Sequence, residues 1–182
     1  MTSRQQASRG QELEFEAFAR GRLPELLRLG VLLSGDSQQS QDLTQTALTK
    51  AFLHWRAVST ADNPDAYLST IMVNTWRSWR RRPGFRRERP LTEPHEQGAA
   101  SPFAVVDDRR DLVAALSDLP PRQRLAVVLR YCLDLPEREA AGILGCSGPT
   151  VRSQASRGLA KLRAHPALAA HPSDQQEQDV PS

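Results

Sequence analysis

Cysteine is scarce in this sequence: Cys132 and Cys146 are the only two in 182 residues. They form no CxxC pair and have no histidine at ligand spacing, which excludes a zinc ribbon, a redox dithiol and a disulfide-stapled secreted scaffold. Lysine is equally rare, present only at Lys50 and Lys161, so nearly all the positive charge is arginine. No apolar run reaches membrane-spanning length, and the opening stretch MTSRQQASRGQELE lacks the apolar core of a signal peptide. A cytoplasmic chain with no membrane insertion is the expectation. A Gly-rich phosphate loop and a Ser/His/Asp order are also missing. His54, His95, His165 and His171 are scattered without a shared helical face, so no catalytic centre, metal or cofactor is expected.

What is present is helical periodicity and one local concentration of charge. The formal net charge is only +3, yet Arg77, Arg80, Arg81, Arg82, Arg86, Arg87 and Arg89 crowd one short stretch against the single acid Glu88. Basicity that local favours contact with a polyanion over a general effect on solubility. The arginines end the stretch Asp65 to Arg82, which reads as a helix started by Asn63-Pro64 and stopped by Pro83-Gly84. Leu68, Met72, Thr75 and Trp79 fall on one stripe, widened by Tyr67 and Ile71; Thr70, Asn74, Arg77 and Arg81 fall on another. An amide, the indoles of Trp76 and Trp79 and several guanidinium groups are the groupings that hold phosphates and stack on exposed bases. The same pattern also fits a solvated surface helix whose tryptophans are core.

Upstream, residues 1–10 are polar and expected to be disordered. Glu12 to Arg20 and Leu23 to Leu33 read as two short helices, the second begun at Pro24, and Ser34-Gly35-Asp36 breaks the run. In Asp42 to Trp55, Leu43, Ala47, Phe52 and Trp55 can face a core while Asp42, Gln45, Thr46 and Thr49 share the far side. Val58 to Asn63 reads as a polar loop. Prolines and glycines from Pro83 to Pro102 interrupt all periodicity, which marks a linker. The organisation expected is therefore all-helical: a first domain over 11–83, a linker over 84–109, a second domain over 110–165 and a disordered, Gln-rich tail over 166–182.

The second domain reads as Asp111 to Leu119, Arg122 to Asp134, and then LPEREAAGILGCSGPTVRSQASRGLAKLR, residues 135 to 163. Within that segment a helix from Glu137 to Leu144 stops at Gly145; Ser147 can cap the next helix and Pro149 suits its first turn. Val151, Ala155, Leu159 and Leu162 point back to a core, leaving Thr150, Arg152, Ser153, Ser156, Arg157 and Lys161 outward. Two short helices joined by a tight turn, the second exposing hydroxyls and arginines near its start, form a helix-turn-helix, and such a helix fits the major groove.

In this order the elements resemble the extracytoplasmic-function (group 4) sigma factors of bacterial RNA polymerase, over Phe15 to Arg163. Asp42-Leu43-Thr44-Gln45 resembles the family's D-L-x-Q segment. Asn63-Pro64, Ala66-Tyr67-Leu68 and Val73-Asn74-Thr75 are similar to the segment that reads the -10 element. The segment from Leu135 to Arg163 resembles the sigma-4 helix-turn-helix that reads the -35 element. The resemblance implies that Asp42, Gln45 and Thr46 engage the clamp helices of the beta-prime subunit. It implies that Asn74, Trp76, Arg77 and Arg81 serve the -10 element, with Asn74 at a pocket for a flipped base whose extrusion costs about a few kcal/mol. It further implies that Thr150, Arg152, Ser153, Ser156 and Arg157 face the -35 duplex, that the beta flap is a second contact on core polymerase, and that the linker threads polymerase channels. An anti-sigma protein that masks these surfaces is a further partner compatible with the resemblance. Thr46 stands where many members have an acid, Gln154 and Ala155 replace a frequent Arg and a larger apolar residue, and Pro136 replaces a usual Ser. The competing function is a polymerase-independent helix-turn-helix regulator, which leaves Trp76, Trp79 and the Asp42-Gln45 face without work.

Overall fold

The computed structural model describes residues 2–81 and 107–169, with side chains described within 9–81 and 110–168. The described residues are helical and contain no strand, and the chain divides into two units, Met1–His95 and Glu96–Ser182. The all-helical expectation holds.

The first unit consists of α1 (Thr2–Ser34), α2 (Ser37–Leu53), α3 (Trp55–Ser59) and α4 (Pro64–Arg81). The disorder expected over residues 1–10 and the break expected before Pro24 are both corrected, because one helix runs from Thr2 through Pro24 to Ser34. Pro24 removes one backbone donor and crowds the carbonyl four residues earlier, a local cost that tertiary anchors on both sides of it outweigh. Before it, Phe15 lies 5.1 Å from Phe52 and 5.3 Å from Trp55, and Phe18 lies 5.2 Å from Trp55, measured between ring centres. After it, Leu26, Leu29 and Leu33 are buried, and α1 packs on α2 and α4. Gly30 permits this approach: a Cβ there would lie 2.3 Å from Ser40 Oγ, which donates to Leu27 O at 2.7 Å.

The expected break at Ser34-Gly35-Asp36 is present. Gly35 takes a φ of 77°, a left-handed conformation that glycine adopts without steric cost. Asp36 then caps α2, accepting from Gln39 N at 2.7 Å. The helix ends at Leu53, earlier than expected, and Val58, expected in a loop, is fully buried on α3. Asn63 Oδ1 accepts from Ala66 N at 3.0 Å and so caps α4. Arg22 on α1 donates to Asp65 on α4, whose hydrogen bond and charge push the guanidinium pKa up.

The second unit holds α5 (Asp107–Asp118), α6 (Pro121–Val127) continued by a π-helical turn (Val128–Cys132), α7 (Glu137–Leu144), α8 (Gly148–Arg163) and α9 (Pro166–Ala169). Leu116, Val127, Val128, Leu129, Ala140, Val151 and Ala155 form its core. Two boundaries differ from expectation: α5 begins inside the stretch assigned to the linker, and α9 is a helical turn where the tail was expected to be disordered. The first is a helix extended from an anchored turn, which adds one hydrogen bond per residue ordered without a new nucleation step, and the second is held by packing on α5. The stop at Pro83-Gly84, most of the linker, Arg82, Arg86, Arg87 and Arg89, and residues 170–182 lie outside the described residues.

Candidate nucleic-acid interface

Three faces carry the residues singled out in the sequence. The first is the outer side of α2. Leu43, Thr44, Ala47 and Ala51 are buried, so Asp42 and Gln45 face solvent and Thr46 is half-buried beside them. Phe52, assigned to the core by periodicity, is 42% exposed; Ala51 takes the inward position and Phe52 lies against Phe15 at its edge. Leu53, which the sequence reading passed over, is 72% exposed. It extends the series 42, 46, 49 by one more helical step, so the polar face ends on an apolar residue. The spacing itself carried that signal.

The second face is on α4. Leu68, Met72, Val73, Thr75 and Trp76 are buried, while Asn74 and Arg81 are exposed and Arg77 is half-buried. Trp76 is therefore a correction: at 2% exposure its indole belongs to the core and is not available to stack on a base. Arg80 lies over its ring at 5.8 Å, adding a cation to the rim of the same face. The helix is held in place from behind, because Lys50 Nζ donates to Thr75 Oγ1 at 2.9 Å and Thr75 Oγ1 donates to Ile71 O at 2.8 Å.

The third face is the helix-turn-helix. Gly145 ends α7 in the left-handed region, with a φ of 64° and a ψ of 42°. Cys146 N then donates to Ala141 O at 3.1 Å, which satisfies a terminal carbonyl. Ser147 caps α8, accepting from Thr150 N at 3.4 Å. Val151, Ala155, Gly158 and Leu162 are buried, and Leu159 is half-buried. Gly158 lets α8 close on α6, since a Cβ there would lie 2.6 Å from Val127 Cγ2. Thr150, Arg152, Ser156 and Arg157 are exposed, and Ser153 is half-buried. Two of the hydroxyls already serve the helix: Thr150 Oγ1 lies 2.8 Å from Ser147 Oγ, and Ser153 Oγ donates to Thr150 O at 3.0 Å.

Sequence reasoning missed the partner of Arg152. Its Nε donates to Glu137 Oε2 at 2.9 Å and its Nη2 to Glu137 Oε1 at 3.0 Å. Position 137 was seen only as a helix start, and nothing in local spacing pairs it with a residue on the next helix.

Among the described residues no group of His, Cys, Asp and Glu side chains is arranged to hold a metal, and no helix is long and apolar enough to cross a membrane. A helix-turn-helix with its outer face open defines the class, a protein that binds duplex DNA. Residues 18–86 match the family model described as Sigma-70 region 2, and residues 109–162 match Sigma-70, region 4. The RNA polymerase sigma-E factor of Streptomyces coelicolor is 39% identical over 159 residues, spanning 85% of this chain and 86% of that protein. The ECF RNA polymerase sigma factor EcfG of Rhodopseudomonas palustris is 31% identical over 148 residues, spanning 78% and 79%. A solved structure of the sigma factor RpoE in complex with the anti-sigma factor NepR from Bartonella quintana is similar, with a TM-score of 0.63 and 28% identity over 83% of this chain and 95% of that one. The chain belongs to the sigma-70 family of RNA polymerase sigma factors and, within it, to the extracytoplasmic-function group. Its function is that of a sigma factor, promoter-specific transcription initiation, and the polymerase-independent regulator is not favoured.

Proposed function

We propose that the three faces divide the work of initiation. The outer side of α2, with Asp42, Gln45, Thr46 and the apolar Leu53, docks on the beta-prime clamp helices of core polymerase. The α4 face captures the opened -10 element, with Asn74 hydrogen-bonding an exposed base and Arg77 and Arg81 holding phosphates. The outer face of α8 lies in the major groove of the -35 duplex. There Arg152 reads a guanine edge, and Thr150, Ser153, Ser156 and Arg157 make the surrounding base and phosphate contacts. The beta flap is the second contact on polymerase, and an anti-sigma protein is the partner that covers these surfaces when the factor is idle, as NepR binds RpoE in the related structure.

The observation that carries this assignment is the division of α8: small and branched residues seal one side against the unit's core, while Arg152 and Arg157 stay outward. The test is transcription in vitro from a pool of promoter fragments, with core polymerase and the full chain. Start sites that depend on the chain, and that shift when -35 or -10 bases are changed, are expected. Initiation indifferent to both elements would sink the assignment.

A further inference from the structure

We propose that Glu137 is a specificity-determining positioning residue, fixing the guanidinium of Arg152 so that it reads one base pair of the -35 element; this rests on α8 being the recognition helix. Glu137 lies in the first turn of α7 and Arg152 in the second turn of α8, so the pair spans the turn of the motif. The contact is bidentate, at 2.9 and 3.0 Å, and uses the Nε and Nη2 edge of the guanidinium. The other edge, Nη1 with the second Nη2 hydrogen, is left with donors in the fork geometry that matches O6 and N7 of guanine.

Exposure divides the labour between the two side chains. The arginine is 73% exposed and the glutamate 27%, so the acid acts as the support and the base is presented. An exposed ion pair of this kind adds little to the stability of a fold. Its consequence for binding is larger, because an arginine already held in one orientation loses less freedom on meeting DNA. The carboxylate also offsets the attraction of Arg152 to any phosphate, which weakens contact with unrelated sequence more than contact with a matching guanine.

Gly148 makes room for the arrangement. A Cβ at that position would lie 2.6 Å from Glu137 Oε1, so any side chain there displaces the carboxylate from Arg152. The displaced atom is the end of a flexible side chain, and the fold tolerates the movement.

The experiment measures binding of holoenzyme, assembled from core polymerase and the full chain, to a promoter library randomised at the -35 element. Arg152→Ala is expected to flatten the preference at one position. Glu137→Gln, which keeps the shape and removes the charge, is expected to lower discrimination at that same position by about tenfold. Gly148→Ala is expected to reproduce the effect with Glu137 intact. If Arg152→Ala flattens a position and neither other variant changes it, the positioning role is wrong while the recognition helix stands. A uniform loss at every position in Glu137→Gln also overturns the role, since that is the signature of a structural defect. If Arg152→Ala itself leaves every preference intact, the recognition assignment falls and this inference with it.

Discussion

At the scale of single residues, burial separates side chains that hold the fold from those free to bind. Trp76 shows the difference most clearly, because an indole on an arginine-rich helix suits base stacking by chemistry and yet is enclosed by the first unit. Trp76→Ala is expected to destabilise that unit by about 3 to 5 kcal/mol, measured by urea unfolding, and Trp76→Phe by much less. Unchanged stability in the alanine variant would return the indole to a binding role. Arg157 is exposed at the outer face of α8, and Arg157→Ala is expected to lower the slope of log affinity against log salt by about 1, read from titrations at several salt concentrations. Cys132 belongs to the same scale, since desolvation pushes its thiol pKa up and leaves less thiolate at neutral pH. In a Cys146→Ser background it should react with iodoacetamide more slowly than free cysteine, and the gap should close as pH rises through the elevated pKa. Asp42 and Gln45 were legible in the sequence because small and aliphatic residues on the opposite side of α2 leave one phase for the helix. Phe52 and Trp76 were not, because a period of 3.6 leaves residues at the border of a stripe undecided: size favoured the core for Phe52, which is exposed, and the neighbouring arginines favoured a binding role for Trp76, which is buried.

At the scale of elements, helix ends read more faithfully than helix continuity. Gly145 and Ser147 announced the turn between α7 and α8 because a left-handed stop and a side-chain cap are local chemistry, satisfied within three residues. Ser147→Ala is expected to cost about 1 kcal/mol in thermal or denaturant unfolding of the second unit. Pro24, read as the start of a second helix, was the opposite case, because aromatic packing before it and leucine packing after it carry one helix through it. Gly30 sits in the same helix, where two effects of alanine compete. Better helix propensity would gain about 1 kcal/mol, while crowding Ser40 and Met72 would cost about 1 to 3 kcal/mol. Crowding should win, and Gly30→Ala should lower the unfolding midpoint; a raised midpoint would show that α1 can lift off α2 without penalty.

At the scale of the whole molecule, the proposed function gives each of the two units its own promoter element. If each unit binds its own element independently, the free energies of substitutions in different units add. Asn74→Ala combined with Arg152→Ala is expected to cost the sum of the single losses within about 0.5 kcal/mol, measured as holoenzyme affinity for one promoter. A large departure would mean that the two elements are read cooperatively.

Sequence alone determined the helical class, the second unit's motif and the polar side of α2, because each depends on spacing and capping within a few residues. Tertiary structure decided the continuity of α1, the enclosure of Trp76, the exposure of Leu53 and the pairing of Arg152 with Glu137. Those outcomes depend on which helix lies against which, and packing between residues distant in the chain is set by shape and volume that no local period records.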